Sequence, residues 1–251
     1  HKSEMSMKNS PYPAAPAPAL ASADSARPTT VRWRIFLILL LLAAINYIDR
    51  ASLSVALPLI SSEFELTPAL EGLILSAFFW SYALMQIPSG MLLDRFQVRN
   101  IVGVATVGWG AFQALGGFAH NWITLLITRV GLGVAESPIM PAGAKLNGAW
   151  LTPNERGRGA TLVDGGAPLG TAFGAIIIAG LITWFDSWRI AFFIAGVGTV
   201  LVGIWAWWYI RNHPSEHPQV NKAELDYITQ ANDAASKHNG NRKAVLKELL
   251  K

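Results

Sequence analysis

No cysteine occurs in the 251 residues, so neither disulfides nor thiolate metal sites can be built from this chain. Its five histidines are scattered without ligand spacing. No His-Glu-x-x-His, Gly-x-Ser-x-Gly or pair of aspartates at helical spacing offers a metal site or an activated nucleophile, so an enzyme is not expected. Charge is scarce as well: 14% of residues are charged, where soluble domains carry about 25%. Apolar residues reach 52% and mean hydropathy is +0.34, a composition with no charged skin for water to solvate. The net charge of +4 lies in short loops and at the two ends. It forms no basic stripe with interleaved aromatics and no Gly-Lys-Ser/Thr loop, so no nucleic-acid partner is expected.

What the chain does have is long apolar runs. Residues 1–30, rich in Pro, Ala and Ser, read as a disordered tail; the chain opens on His1, and Met5 or Met7 is the expected native start. Six runs follow, at 33–57, 70–93, 100–119, 121–145, 159–184 and 188–210, each near the ~20 residues a helix needs to cross a bilayer. Backbone groups must be paired within lipid, and runs of this length without alternation imply helices. The expected organisation is therefore an all-α membrane bundle over 31–210 and a polar linker with an amphipathic helix over 211–251. Arg32, Arg34, Arg95, Arg99, Arg156, Arg158, Arg211 and Lys222 fall at one end of the runs, and Glu63, Glu65, Glu71, His120 and Asp186 at the other, with Arg189 the only basic residue there. The basic end is the expected cytoplasmic side, with both termini inside. Ten tryptophans cluster near span ends, as interfacial anchors do.

The loop after the second run reads SGMLLDRFQVRN, with Gly90, Asp94, Arg95 and Arg99. It resembles the Gly-x-Leu-x-Asp-Arg-x-Gly-x-Arg loop of the major facilitator superfamily, with Gln97 in place of the second glycine. That resemblance implies a six-helix amino-terminal bundle made of two inverted three-helix repeats. It also implies a cytoplasmic gate in which the glycine lets helices approach while Asp94 and the arginines form a charge network.

Inside the first run, Asn46-Tyr47-Ile48-Asp49-Arg50 lies ~22 Å along a helix from the basic end, well within hydrocarbon depth. Ionisable groups there normally face a polar cavity. Asp49 and Arg50 sit ~100° apart on the helix and so do different jobs. In the fourth run Arg129 and Glu136 are seven apart and share one face, with Gly131 and Ala135 at a small-xxx-small spacing. Pairs of Asp49 with Arg129 and of Glu136 with Arg50 would lock the bundle; alternatively the four form a working polar core. Tyr82 and Gln86 share a face of the second run, as ligand contacts or as interhelical glue. The glycines 165, 166, 170 and 174 mark a thin fifth helix built for close packing, and Asp164 is open to three readings: gate, site or cap.

NYIDRASLSVALP, the Arg129 to Glu136 segment and TPNERGRG before the fifth run together resemble the anion:cation symporter family, which includes bacterial galactonate, glucarate and hexuronate carriers and animal vesicular and lysosomal anion transporters. The resemblance implies proton-coupled symport of a small organic anion, a hexonate, aldarate or hexuronate, by alternating access. Arg50 would bind the substrate carboxylate, Asp49 and Glu136 would carry protons, Arg129 would lie near the proton path, and Tyr47, Tyr82 and Gln86 would line the site. Chemistry agrees with that division: a carboxylate needs a permanently charged fork, and a proton carrier needs a group that titrates. The cavity face should then present Tyr47, Arg50, Tyr82 and Glu136. Ala167 stands where galactonate carriers have a glutamine, so sugar specificity does not carry over. No cofactor beyond a proton gradient is expected; the partners are a carboxylate, protons, the lipids of a bacterial-type inner membrane and a second six-helix half. The rival reading is a truncated, non-transporting fragment or binding module. Sodium in place of the proton also stays open.

Overall fold

The computed structural model describes residues 27–249, with side chains as far as Lys237; residues 1–26 of the expected tail lie outside the described residues. Helix α1 covers Val31–Phe64, α2 Pro68–Arg95, α3 Val98–Gly116, α4 Trp122–Glu136, α5 Ile139–Trp150, α6 Arg156–Asp164, α7 Gly166–Phe185, α8 Trp188–Tyr209 and α9 Lys222–Leu249. The expected fourth run is thus α4 followed by α5, and the fifth α6 followed by α7. Proline makes both breaks. Pro138 has no N–H for the Val134 carbonyl, and the Ser137 hydroxyl donates to that carbonyl instead, at 2.8 Å. Pro168 likewise leaves the Asp164 carbonyl unserved, one residue before the break at Gly165.

Among the described residues, five spans, with α4–α5 and α6–α7 each counted as one, are long and apolar enough to cross a membrane. The sixth, α3, lies between α8 and α4 and meets little lipid, so it carries small and polar residues where the others carry Leu and Ile. α1 runs along α7, α2 along α4 and α3 along α8. Exchanging spans one to three for spans four to six turns the first pairing into the second and leaves the third unchanged. Two inverted three-helix repeats require that exchange. Glycines permit the closest approach: a Cβ at Gly196 would meet the backbone of Gly110 and Ala114 in α3, and one at Gly170 the backbone of Ala44 in α1.

The basic loops share one end. The fifth span starts earlier than its hydropathy suggests, at Arg156, after a turn over Thr152-Pro153-Asn154-Glu155 in which the Glu155 N–H donates to the Thr152 carbonyl at 2.9 Å. The Glu155 carboxylate accepts from the Thr152 N–H at 3.3 Å and hydroxyl at 3.0 Å. Arg156 and Arg158, expected in a loop, therefore lie in α6. Glu155 also meets Arg32 of α1 at 3.2 Å, and Arg32 meets the fully buried Glu224 of α9 at 2.8 Å. Glu224 further accepts from the N–H groups of Val31 and Arg32, each at 3.2 Å, filling the positive end of α1. Asn221 binds the Arg27 carbonyl at 2.9 Å, so residues 27–30, expected as tail, are fastened to the linker.

His217, buried between the rings of Trp150 at 5.9 Å and Tyr209 at 4.9 Å, holds the turn before α9. Burial first, and then Arg211, push its imidazole below the usual 6.5. The folded form prefers the neutral ring, so this contribution is present above about pH 6.5 and lost as pH falls through the lowered value. Limited proteolysis should therefore clip α9 faster at about pH 5 than at about pH 7.5, and His217→Phe should flatten that difference.

Candidate functional site

Asp49 and Arg50 diverge from one turn of α1. Asp49, 1% exposed, faces α3 and α8: the Trp109 indole N–H donates to its Oδ2 at 2.6 Å and the Thr199 hydroxyl lies at 3.4 Å. Arg50 turns the other way, its guanidinium 4.7 Å from the Tyr47 ring, 4.7 Å from Phe78 and 4.9 Å from Tyr82. Three ring faces around one cation favour its charge where water is scarce. Its side chain stays 19% exposed and sits 3.5 Å from Glu136 Oε2. The Asn46 amide also donates to that oxygen, at 2.5 Å.

Arg50, Tyr47 and Phe78 line a cavity of about 440 Å³, with Ser54, Leu132, Thr171 and Arg129 on its other walls. The cavity face differs from the expected one. Glu136 is fully buried behind Arg50, because the Asn46 amide and the arginine draw it inward, and Arg129 takes a place on the wall. Tyr82 stacks on Phe78 at 5.7 Å and touches the site only through Arg50. Gln86, half-buried one turn further along α2, is not on the cavity wall.

Of the two expected ion pairs, only Glu136 with Arg50 forms. Asp49 and Arg129 are joined indirectly: the Arg129 guanidinium donates to Gln113 at 3.3 Å, the Gln113 amide to the Ser52 hydroxyl at 3.0 Å, and that hydroxyl to the Asp49 carbonyl at 2.6 Å. Asp49 Oδ1, Glu136 Oε1, and Arg129 Nε and Nη2 are buried without a hydrogen-bond partner among the described residues. The residues missed from the sequence are Asn46, Ser52, Trp109, Gln113 and Thr199. A polar stripe at Thr106, Trp109 and Gln113, spaced three and four apart in an otherwise apolar run, was the available signal.

The loop motif is arranged differently from its expected network. A Cβ at Gly90 would meet nothing within 4 Å, so this glycine is not what lets helices approach in this conformation. Asp94 faces Lys145 of α5 at 3.4 Å, and the same ammonium caps the Leu93 carbonyl. Arg95 points outward, and Arg99 binds the Trp207 carbonyl at 2.8 Å, tying α3 to α8. Asp164 is exposed beside a smaller cavity of about 240 Å³ lined by Phe36, Met140 and Asn147.

Six spans in inverted repeats around a charged, caged cavity define a multi-pass membrane transporter fold. The chain belongs to the Major Facilitator Superfamily, whose family profile matches residues 39–251. It is 37% identical over 206 residues to the transporter YybO of Bacillus subtilis (strain 168), a match covering 82% of this chain and 47% of that protein. Identity is 33% over 206 residues to a protein of Escherichia coli (strain K12) named "Probable galactarate/D-glucarate transporter GarP", covering 79% and 46%. Among solved structures, an inward-facing, unoccupied bacterial homologue of the human lysosomal transporter Spinster superposes with a TM-score of 0.67 at 25% identity, over 79% of this chain and 47% of that one. The chain spans about half the length of the curated relatives it matches.

Proposed function

We propose that this bundle forms one wall of a proton-coupled symporter for a small organic anion of the sugar-acid class, working by alternating access against a second six-helix half. The observation that carries this reading is Arg50: a permanent cation, caged by three aromatic rings, open to a cavity of about 440 Å³, with a buried carboxylate at its back. A carboxylate entering the cavity competes with Glu136 for the guanidinium. Glu136, losing its partner, then does best by taking a proton on its unpaired Oε1, which links anion to proton. Asp49, with an unpaired Oδ1 and the Trp109 donor on its other oxygen, is the second carrier. Relatives named for galactarate, D-glucarate and L-galactonate support the substrate class. The cluster of arginines at one end supports a cytoplasmic placement of that end and of both termini. Lys145 with Asp94 would serve as the gate contact of that side.

The test is uptake of labelled galactonate and galactarate into vesicles under an imposed pH gradient, with this chain alone and with a complementary six-helix half supplied. Asp49→Asn and Glu136→Gln should retain at least about half of the anion binding, since Arg50 is untouched, and lose gradient-driven accumulation at least about tenfold. If both variants lose binding as fully as an Arg50 variant, the charges only hold the bundle together and the transport reading is wrong.

A further inference from the structure

We propose that the cleft between α1 and α8 at the basic end of the spans is a binding site for an anionic phospholipid, whose phosphate Arg34 holds. The cleft measures about 330 Å³ and is lined by Arg34, Leu37 and Ile38 of α1, Trp205 and Tyr209 of α8, and Gln219 of the linker. It is separate from the central cavity. Arg34 stands sixteen residues before Arg50, ~160° around the helix, so the two arginines leave α1 on nearly opposite sides. The cleft therefore opens away from the wall that a second half would cover, onto the surface that meets lipid, and the inference does not depend on the transport reading.

The cleft changes character in the order that a lipid does. At its polar end the exposed Arg34 guanidinium makes one hydrogen bond among the described residues, donating from Nη1 to the Gln219 amide oxygen at 3.4 Å. The Nε–Nη2 edge remains for two parallel bonds to a phosphate. The Tyr209 hydroxyl donates to the same Gln219 oxygen at 3.0 Å, which leaves the Gln219 NH2 group to donate as well. No carboxylate lines the cleft, so it serves a phosphodiester and offers no ion pair to the ammonium of a zwitterionic headgroup. Deeper along the spans the surface turns apolar: Leu37 and Leu41 follow Arg34 on one face of α1, Trp205 and Leu201 precede Tyr209 on α8, and all four are exposed. A tryptophan and a tyrosine at the level between the cation and the leucines occupy the interfacial position of aromatic belts. Acyl chains would lie along the leucines, whereas a free phosphate would use the polar end alone.

Native mass spectrometry of the full chain in detergent micelles, with phosphatidylglycerol and phosphatidylcholine of matched acyl chains, tests the proposal. Phosphatidylglycerol should be held at least about tenfold more tightly, above the roughly fivefold that any arginine near an anionic surface contributes. Arg34→Gln should remove that preference. Arg158→Gln, which deletes another exposed arginine at the same end, should leave it within about twofold. Trp205→Ala should weaken phosphatidylglycerol at least about threefold by removing an apolar wall, and inorganic phosphate in large excess should not displace the lipid. A wild-type chain that fails to distinguish the two lipids, equal losses in the two arginine variants, an unchanged affinity in Trp205→Ala, or displacement by phosphate would each overturn it.

Discussion

Arg50→Ala should abolish anion binding, weakening it at least about a hundredfold, or ~2.7 kcal/mol. Truncating one partner of a buried, hydrogen-bonded charge pair typically costs ~2–5 kcal/mol, and here the substitution has two consequences. The incoming carboxylate loses its only cation caged by Tyr47, Phe78 and Tyr82. Glu136 also loses its ion-pair partner and keeps only the Asn46 amide. Arg50→Lys should recover little of the affinity, because a point charge cannot fill the cage and fork the carboxylate at once. Titration calorimetry with galactonate reads both variants. Binding within threefold of wild type in Arg50→Ala would place the anion elsewhere.

Gly196→Ala should destabilise the bundle by ~2–3 kcal/mol, at the upper end of the usual cost of overpacking. The added methyl meets the Ala114 N and Cα and the Gly110 carbonyl of α3, all backbone atoms that no rotamer change can move away. Gly198, two residues on in α8, has nothing within 4 Å of the same added atom. Gly198→Ala should therefore leave stability unchanged or raise it by up to ~1 kcal/mol through helix propensity. Thermal unfolding in detergent separates the two. A similar midpoint for both would mean that α3 and α8 do not approach as closely as described.

Much of this was legible in the sequence, for identifiable reasons. Run length and the scarcity of charge give five of the spans, because lipid permits few alternatives to a helix, and α3 is placed as the sixth by its packing between α8 and α4. The angular offset between neighbouring helical residues already separates Asp49 from Arg50, and they do face different helices. The partners of Asp49 were not legible. Trp109 and Thr199 come from α3 and α8, and no spacing within the first span says which helix lies across from it. Glu136 was expected on the cavity face from the resemblance, yet the Asn46 amide and Arg50 hold it inside, while the equally buried Arg129 lines the cavity. The proline break after Glu136 and the Thr-Pro turn before α6 are local signals, and a reading by hydropathy alone passes over both. Asp94 and Lys145 lie on different spans, so the loop motif could not disclose their meeting.

The proline break has one more consequence. Glu136 is the last residue of α4, and the ladder is interrupted two residues beyond it, where a serine hydroxyl stands in for a backbone donor. A helix bends most readily where its ladder is interrupted. The groups that hold the Glu136 carboxylate, Asn46 and Arg50, belong to α1 and do not follow such a bend. Any flexing of the fourth span at this break would therefore also change the neighbours of its acid.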